Sequence, residues 1–157
     1  MKLLIFSDTH IASNRTKEIL EYHTEYESFQ KLLKLFHKFD LIINLGDFLE
    51  PVYDLALPNY DFLSEYYTYK NVVKICGNHD KKDGLTHFVY NGIRYEHGHR
   101  SGVQKDVDAI RAFYGTQKII HGHSHVVNNT WSYDVGSITF NDSYAVVKDD
   151  KVEIKYI

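Results

Sequence analysis

Whatever chemistry this chain performs is carried by five short clusters: Asp8-Thr9-His10, Gly46-Asp47, Gly77-Asn78-His79-Asp80, His97-Gly98-His99 and Gly122-His123-Ser124-His125. Their side chains offer carboxylate oxygens, an amide carbonyl and imidazole nitrogens, the donors that hold divalent transition ions. Two carboxylates, one amide and four or five imidazoles exceed what one ion needs and suit a pair. The chemistry such a set supports is two-metal hydrolysis, in which paired ions clamp the attacking and leaving oxygens of an in-line displacement.

Elements that could bring five scattered clusters together are readable around them. Lys2 to Ser7, Leu41 to Leu45, Val72 to Cys76 and Lys118 to Ile120 are short apolar runs that read as buried strands. Thr86 to Tyr90 and Ile93 to Glu96 flank Asn91-Gly92, a type I′ hairpin signal. Val146 to Val152 looks like the last hairpin. From Thr16 to Phe39, apolar residues at 19, 22, 26, 29, 33 and 36 predict one helix, with Ser13 or Thr16 as its cap. A loop followed by a helix is expected over Glu50 to Tyr69, and a further helix over Val103 to Tyr114.

On this outline Asp8, Asp47, Asn78, His97 and His123 each come directly after a strand, where loops of α/β sheets converge on a ligand crevice. Asp8 with His10, and His123 with His125, are two apart, so an extended backbone would aim each pair to one side. Gly46, Gly77, Gly98 and Gly122 adjoin these residues, where the backbone must turn or approach closely.

Composition bounds the alternatives. At 157 residues, with 43% hydrophobic and 25% charged content, the chain is sized for one globular domain spanning 1–157. A net charge of −3 with scattered basic residues gives no strong nucleic-acid signature. The single Cys76 excludes an internal disulfide and reads as a small buried residue. The apolar start at Leu3 to Phe6 is too short for a signal peptide or membrane span, so the cytoplasm is the expected location.

Each residue also has a plainer reading. Asp8 could be only a helix or turn cap, Gly46-Asp47 a common turn pair, and Asn78 a left-handed turn residue. His97 and His99 could be solvated loop residues, and His121 reads as a core histidine at a strand end. His23, His37 and His87 are expected at the surface. Tyr53, Tyr60, Tyr66, Tyr67 and Tyr69 could stack a nucleotide base, but packing of an amphipathic helix is the stronger reading. Trp131 is assigned to packing. The joint occurrence of all five clusters is what favours metal ligation.

The series Asp-x-His, Gly-Asp, Gly-Asn-His-Asp, His-Gly-His and Gly-His-x-His resembles the calcineurin-like metallophosphoesterases, over residues 8 to 125. The short length looks like that family's small phosphodiesterase branch in bacteria and archaea. The resemblance implies an α/β fold, a four-layer αββα sandwich of two central mixed sheets flanked by helices. It implies one metal held by Asp8, His10, Asp47 and His125 and a second held by Asp47, Asn78, His97 and His123, with Asp47 bridging. Mn²⁺ is the first choice, and Fe, Ni, Zn or Co also suit the donors. A hydroxide bridging the ions would attack phosphorus in line. His79 would face the substrate and assist the leaving group, with Asp80 orienting its ring. His99, Arg100 and either Lys81 or Lys82 are candidate phosphate contacts.

Two departures narrow the reaction. Family protein phosphatases carry an arginine soon after Gly-Asp, whereas here the stretch reads Asp47-Phe48-Leu49-Glu50-Pro51. A phosphomonoester dianion gains most from such a charge, so the substrate expected is a phosphodiester, as a small molecule or nucleotide. The small phosphodiesterases show Asn-Pro-Gly-Ser after the last motif, whereas this chain has Asp134-Val135-Gly136-Ser137. A phosphomonoesterase, a nuclease and a non-catalytic protein-binding scaffold of the same fold, like the family's retromer subunit, are the alternatives. The scaffold reading predicts eroded ligands, and all seven positions here carry metal-competent side chains.

Overall fold

The computed structural model describes residues 1–50, 58–100, 118–129 and 132–157. Among the described residues, ten strands form two mixed five-stranded sheets. The first contains β1 (Lys2–Phe6), β2 (Leu41–Asn44), β3 (Val72–Lys74), β9 (Ser143–Lys148) and β10 (Lys151–Tyr156), in the order β10-β9-β1-β2-β3. The second contains β4 (His87–Tyr90), β5 (Ile93–Glu96), β6 (Lys118–His121), β7 (Asn128–Asn129) and β8 (Ser132–Asp134), in the order β4-β5-β6-β8-β7. Three helices, α1 (Asn14–Leu20), α2 (Glu27–Leu33) and α3 (Asp61–Thr68), complete the described elements with a 3₁₀ turn at Phe36–Lys38.

The apolar runs are continuous because the first sheet is covered on both faces. Alternation along β1 sends Leu3 and Ile5 toward the second sheet, where they pack with Ile43, Ile93, Tyr95, Ile120 and Val147. Leu4 and Phe6 point the other way, into an aromatic layer with Phe29 and Leu32 of α2, Tyr66 of α3 and Val146. This is the α/β sandwich expected from the sequence. The flanking helix expected at Val103 to Tyr114 lies outside the described residues. No helix among the described residues is long and apolar enough to cross a membrane.

The single helix predicted from Thr16 to Phe39 is instead three pieces. Ser13 does cap α1, accepting the Thr16 N–H at 3.1 Å. The chain then leaves the helix at Glu21 (φ 57°) and re-enters after Tyr26 (φ 58°), both left-handed. The break follows from Tyr26, whose buried hydroxyl accepts the Ala12 N–H at 2.7 Å and donates to the His10 carbonyl at 3.0 Å. A tertiary contact with the first cluster overrides the local periodicity, and Ile19, on the predicted apolar stripe, is 52% exposed. Tyr60, Tyr66 and Tyr69 pack as the plainer reading expected, whereas Tyr67 is 48% exposed. Tyr66 is buried against Phe48 at 4.4 Å between ring centres and bonds Asn44 through its hydroxyl. Tyr53 and Trp131 lie outside the described residues.

Candidate metal centre

Parallel pairing of β1 with β2, β2 with β3 and β5 with β6 brings their C-terminal ends to matching edges. Beyond those ends the loops remain tied. The Asp8 N–H donates to the Gly46 carbonyl at 3.0 Å and the His10 N–H to the Asp47 carbonyl at 2.9 Å. Across the two sheets, Asp8 Oδ2 accepts the His123 N–H at 2.9 Å, and His97 Nδ1 lies 3.0 Å from the Leu45 carbonyl. The second sheet joins the first at Gly122, where a Cβ would come within 2.5 Å of Asp8 Oδ2 and 2.1 Å of Ser7 Oγ. Only a glycine lets these two loops meet.

The seven predicted ligands converge. Asp8 Oδ1 lies 3.2 Å from His125 Nε2 and 3.5 Å from His10 Nε2, and these two nitrogens are 3.1 Å apart. Asp47 Oδ2 lies 3.2 Å from His97 Nε2 and 3.9 Å from His10 Nε2. His97 Nε2 is also 3.1 Å from Asn78 Oδ1, and His123 joins Asp47 and His97 in a second donor group. Asp47 thus groups with His97 and His123 on one side and with His10 and His79 on the other, while Asp8, His10 and His125 form a further group. The backbone does this at some cost. Asp8, His10, Asp47, His123 and His125 all have left-handed φ, from 48° to 74°, each costing roughly 1 kcal/mol or more in a residue with a Cβ. The extended backbone expected around the two-apart pairs is therefore corrected. His123 and His125 serve different groups instead of one side.

These atoms ask for a cation. His97 donates its Nδ1–H to the Leu45 carbonyl, so in the neutral ring Nε2 is a lone pair facing two oxygens. His10 meets the same problem, with Nδ1 held by Glu50 and Nε2 facing Asp8 and His125. With protons alone to balance the site, burial would lower His10, but hydrogen bonds to Asp8 and Glu50 raise it to about 9. His97 is likewise raised, burial being outweighed by Asp47. Asp8 is far below the usual carboxylate range, its burial outweighed by His10 and His125. A divalent ion supplies the same positive charge without the extra protons, so the donor set fits it.

A sequence profile of the calcineurin-like phosphoesterase superfamily domain matches residues 1–147. The chain belongs to that superfamily. Among curated protein sequences there is no significant match. Three solved structures share the fold of this phosphoesterase at low identity. YfcE, a phosphoesterase from Escherichia coli, is 17% identical with a TM-score of 0.62, covering 99% of this chain and 93% of its own. A predicted phosphoesterase from Streptococcus pneumoniae TIGR4 is 16% identical with a TM-score of 0.59, over 99% and 88%. A protein of unknown function from Aquifex aeolicus is 19% identical with a TM-score of 0.58, over 98% and 95%.

The residue that sequence reasoning missed in this phosphoesterase is Glu50. Buried at 2% exposure, its carboxylate lies 2.9 Å from His10 Nδ1 and 2.7 Å from His79 Nδ1. Because a carboxylate only accepts, both rings donate from Nδ1 and turn Nε2 toward the centre. Asp80 was expected in that role toward His79 and does something else. It accepts the backbone N–H groups of Asp47 (2.8 Å), Phe48 (3.1 Å) and Gly77 (2.8 Å), fastening the second loop to the third. The sequence signal for Glu50 is an acid three residues beyond Asp47, in a stretch that lacks the arginine of the family's protein phosphatases. Glu50→Gln places an amide N–H₂ against one of two ring donors and is expected to lower metal affinity or turnover by about 10–100-fold. Metal titration and rates on the purified variant check this, and wild-type values in both would remove Glu50 from the site.

The remaining candidates sort clearly. His99 is half-buried beside His97, with ring centres 5.2 Å apart, and Arg100 Nε reaches its Nε2 at 3.4 Å. Burial and the neighbouring His97 and Arg100 charges lower His99. Arg100, Lys81 and Lys82 are exposed, as are His23, His37 and His87. His121 is buried against the Gly122 carbonyl and Asp134, as a core residue. Cys76 is buried, with its thiol pushed up by burial and the Asp80 charge. In the departed turn, Ser137 Oγ donates to the Asp8 carbonyl at 2.6 Å, so this segment still braces the first loop.

Proposed function

We propose that the chain acts as one metallophosphoesterase domain holding two divalent ions, Mn²⁺ first among them, and hydrolysing a phosphodiester. The observation that carries this reading is Asp47, whose Oδ2 is 3.2 Å from His97 Nε2 and 3.9 Å from His10 Nε2. Asp8, His10 and His125 would hold one ion, and Asn78, His97 and His123 the other, with Asp47 shared. Bound there, a pair of divalent ions acidifies water and neutralises phosphate oxygens.

The chain's own groups supply the rest. His79 is tied twice, its N–H to Asp47 Oδ1 at 2.8 Å and its ring Nδ1 to Glu50. Its Nε2 is therefore the atom offered to substrate, positioned to give a proton to the departing alkoxide. Among the described residues, the nitrogen partners of the ligand carboxylates Asp8 and Asp47 in ion-pair contact are all imidazoles: His10, His79, His97 and His125. With no lysine or arginine among those partners, the protein's own groups suit the single negative charge of a diester more than a monoester dianion. Arg100 beside His99 is the observation favouring a monoester, as a grip on a second phosphate charge. Rates on bis-p-nitrophenyl phosphate and p-nitrophenyl phosphate, with Mn²⁺ or chelator, decide between them. The diester is expected to turn over faster and only with metal. Faster monoester turnover would reverse the assignment, and turnover that survives chelation would end the metal reading.

A further inference from the structure

One large aromatic ring stands at the lip of the centre without any role in the reading above. Phe140 is 45% exposed, yet its ring stacks on that of His125, with centres 5.3 Å apart and planes at 29°. It also lies 5.9 Å from the His10 ring and 5.4 Å from the Tyr22 ring, the latter at 71°. Both imidazoles are proposed ligands of the same ion. An exposed apolar residue is ordinary in itself, so exposure is not the argument. The argument is that the chain fixes this ring in place.

Phe140 sits in a turn built for rigidity. Its N–H donates to Ser137 Oγ at 3.1 Å, Thr139 N–H donates to the same oxygen at 3.2 Å, and Ser137 N–H donates to Asn141 Oδ1 at 2.7 Å. The turn is anchored to the first ligand loop, Ser137 Oγ donating to the Asp8 carbonyl at 2.6 Å and Thr139 Oγ1 to the Thr9 carbonyl at 2.7 Å. The ring is therefore held against the His125 imidazole and beside Tyr22, while it stays 45% exposed at the mouth of the site.

We propose that Phe140 is a specificity-determining residue that stacks the base of a nucleotide ester whose phosphate lies at the Asp8–His10–His125 side of the centre. This deepens the phosphoester reading and rests on it. A flat π-system gains on such a ring, and a sugar places that π-system one residue-width from the phosphate. A simple apolar shield over His125 would instead need only bulk, and it would act on every substrate alike.

Calorimetric titration of the manganese-loaded protein with adenosine 5′-monophosphate and with ribose 5-phosphate separates these roles, since the second carries a hydroxyl where the first carries its base. Wild type is expected to bind the nucleotide about tenfold more tightly, within what one stacked base supplies. Phe140→Ala and Phe140→Leu should bring the ratio close to one, and Phe140→Trp should restore it. A ratio of one in wild type, a ratio preserved by Leu, equal weakening of both ligands with metal loss in Phe140→Ala, or no binding of either ligand would each overturn the inference. Hydrolysis of bis-p-nitrophenyl phosphate by the same preparations is read separately. If it is absent while the base preference holds and vanishes in Phe140→Ala, the phosphodiesterase reading fails and the stacking site stands.

Discussion

Asp47→Asn is expected to lower manganese-dependent diester hydrolysis by about 10³-fold, corresponding to several kcal/mol of lost charge stabilisation. Asn has nearly the shape of Asp, and its carbonyl can still accept the His79 N–H that Asp47 Oδ1 accepts at 2.8 Å. The backbone bonds from Asp47 and Phe48 to Asp80 do not involve the substituted group, so the loop keeps its course. What disappears is the negative charge that lies 3.2 Å from His97 Nε2 and 3.9 Å from His10 Nε2. The change should therefore reduce bound manganese, measured by elemental analysis, while circular dichroism stays that of wild type. Rates within tenfold of wild type at full metal content would mean that Asp47 is not shared between two ions.

The convergence of that residue and the six around it was legible because metal chemistry restricts side-chain types and parallel strands restrict where they stand. Asp8, Asp47, His97 and His123 follow β1, β2, β5 and β6 closely, so apolar runs locate them without any knowledge of tertiary contacts. The hairpin at Asn91-Gly92 was legible for a local reason, since both residues take left-handed φ, 52° and 76°. What failed depends on long-range contact. The helix break before α2 is imposed by Tyr26 bonding a loop fourteen to sixteen residues away in sequence. Pairing by two-residue spacing failed because His123 and His125 are not extended.

Glu50 and Phe140 were hidden for a related reason. Neither belongs to a cluster, and each acquires meaning only from the rings it touches: His10 and His79 for Glu50, His10 and His125 for Phe140. Asp80 erred in the opposite direction, being adjacent in sequence to His79 while its carboxylate is committed to three backbone donors. Sequence neighbours suggest partners, but the buried N–H groups of converging loops must also be satisfied, and a carboxylate is the acceptor best able to do it.

His79→Ala tests the one step assigned to a side chain that touches the reacting atoms. Turnover is expected to fall by about 10²–10⁴-fold, the range of positioned acid catalysis, with manganese content unchanged. The loss should depend on the leaving group. An alkoxide needs a proton to depart, whereas p-nitrophenolate does not, so methyl or ribosyl diesters should suffer far more than bis-p-nitrophenyl phosphate. The competing role is specific, because His79 also shares a donor group with His10 and Asp47, its Nε2 being 4.0 Å from Asp47 Oδ2. Were His79 a ligand, the variant would lose metal and both leaving groups would decline by one factor. A uniform decline with metal retained would instead leave it stabilising charge on the phosphate without delivering a proton, and would remove the acid step from the mechanism.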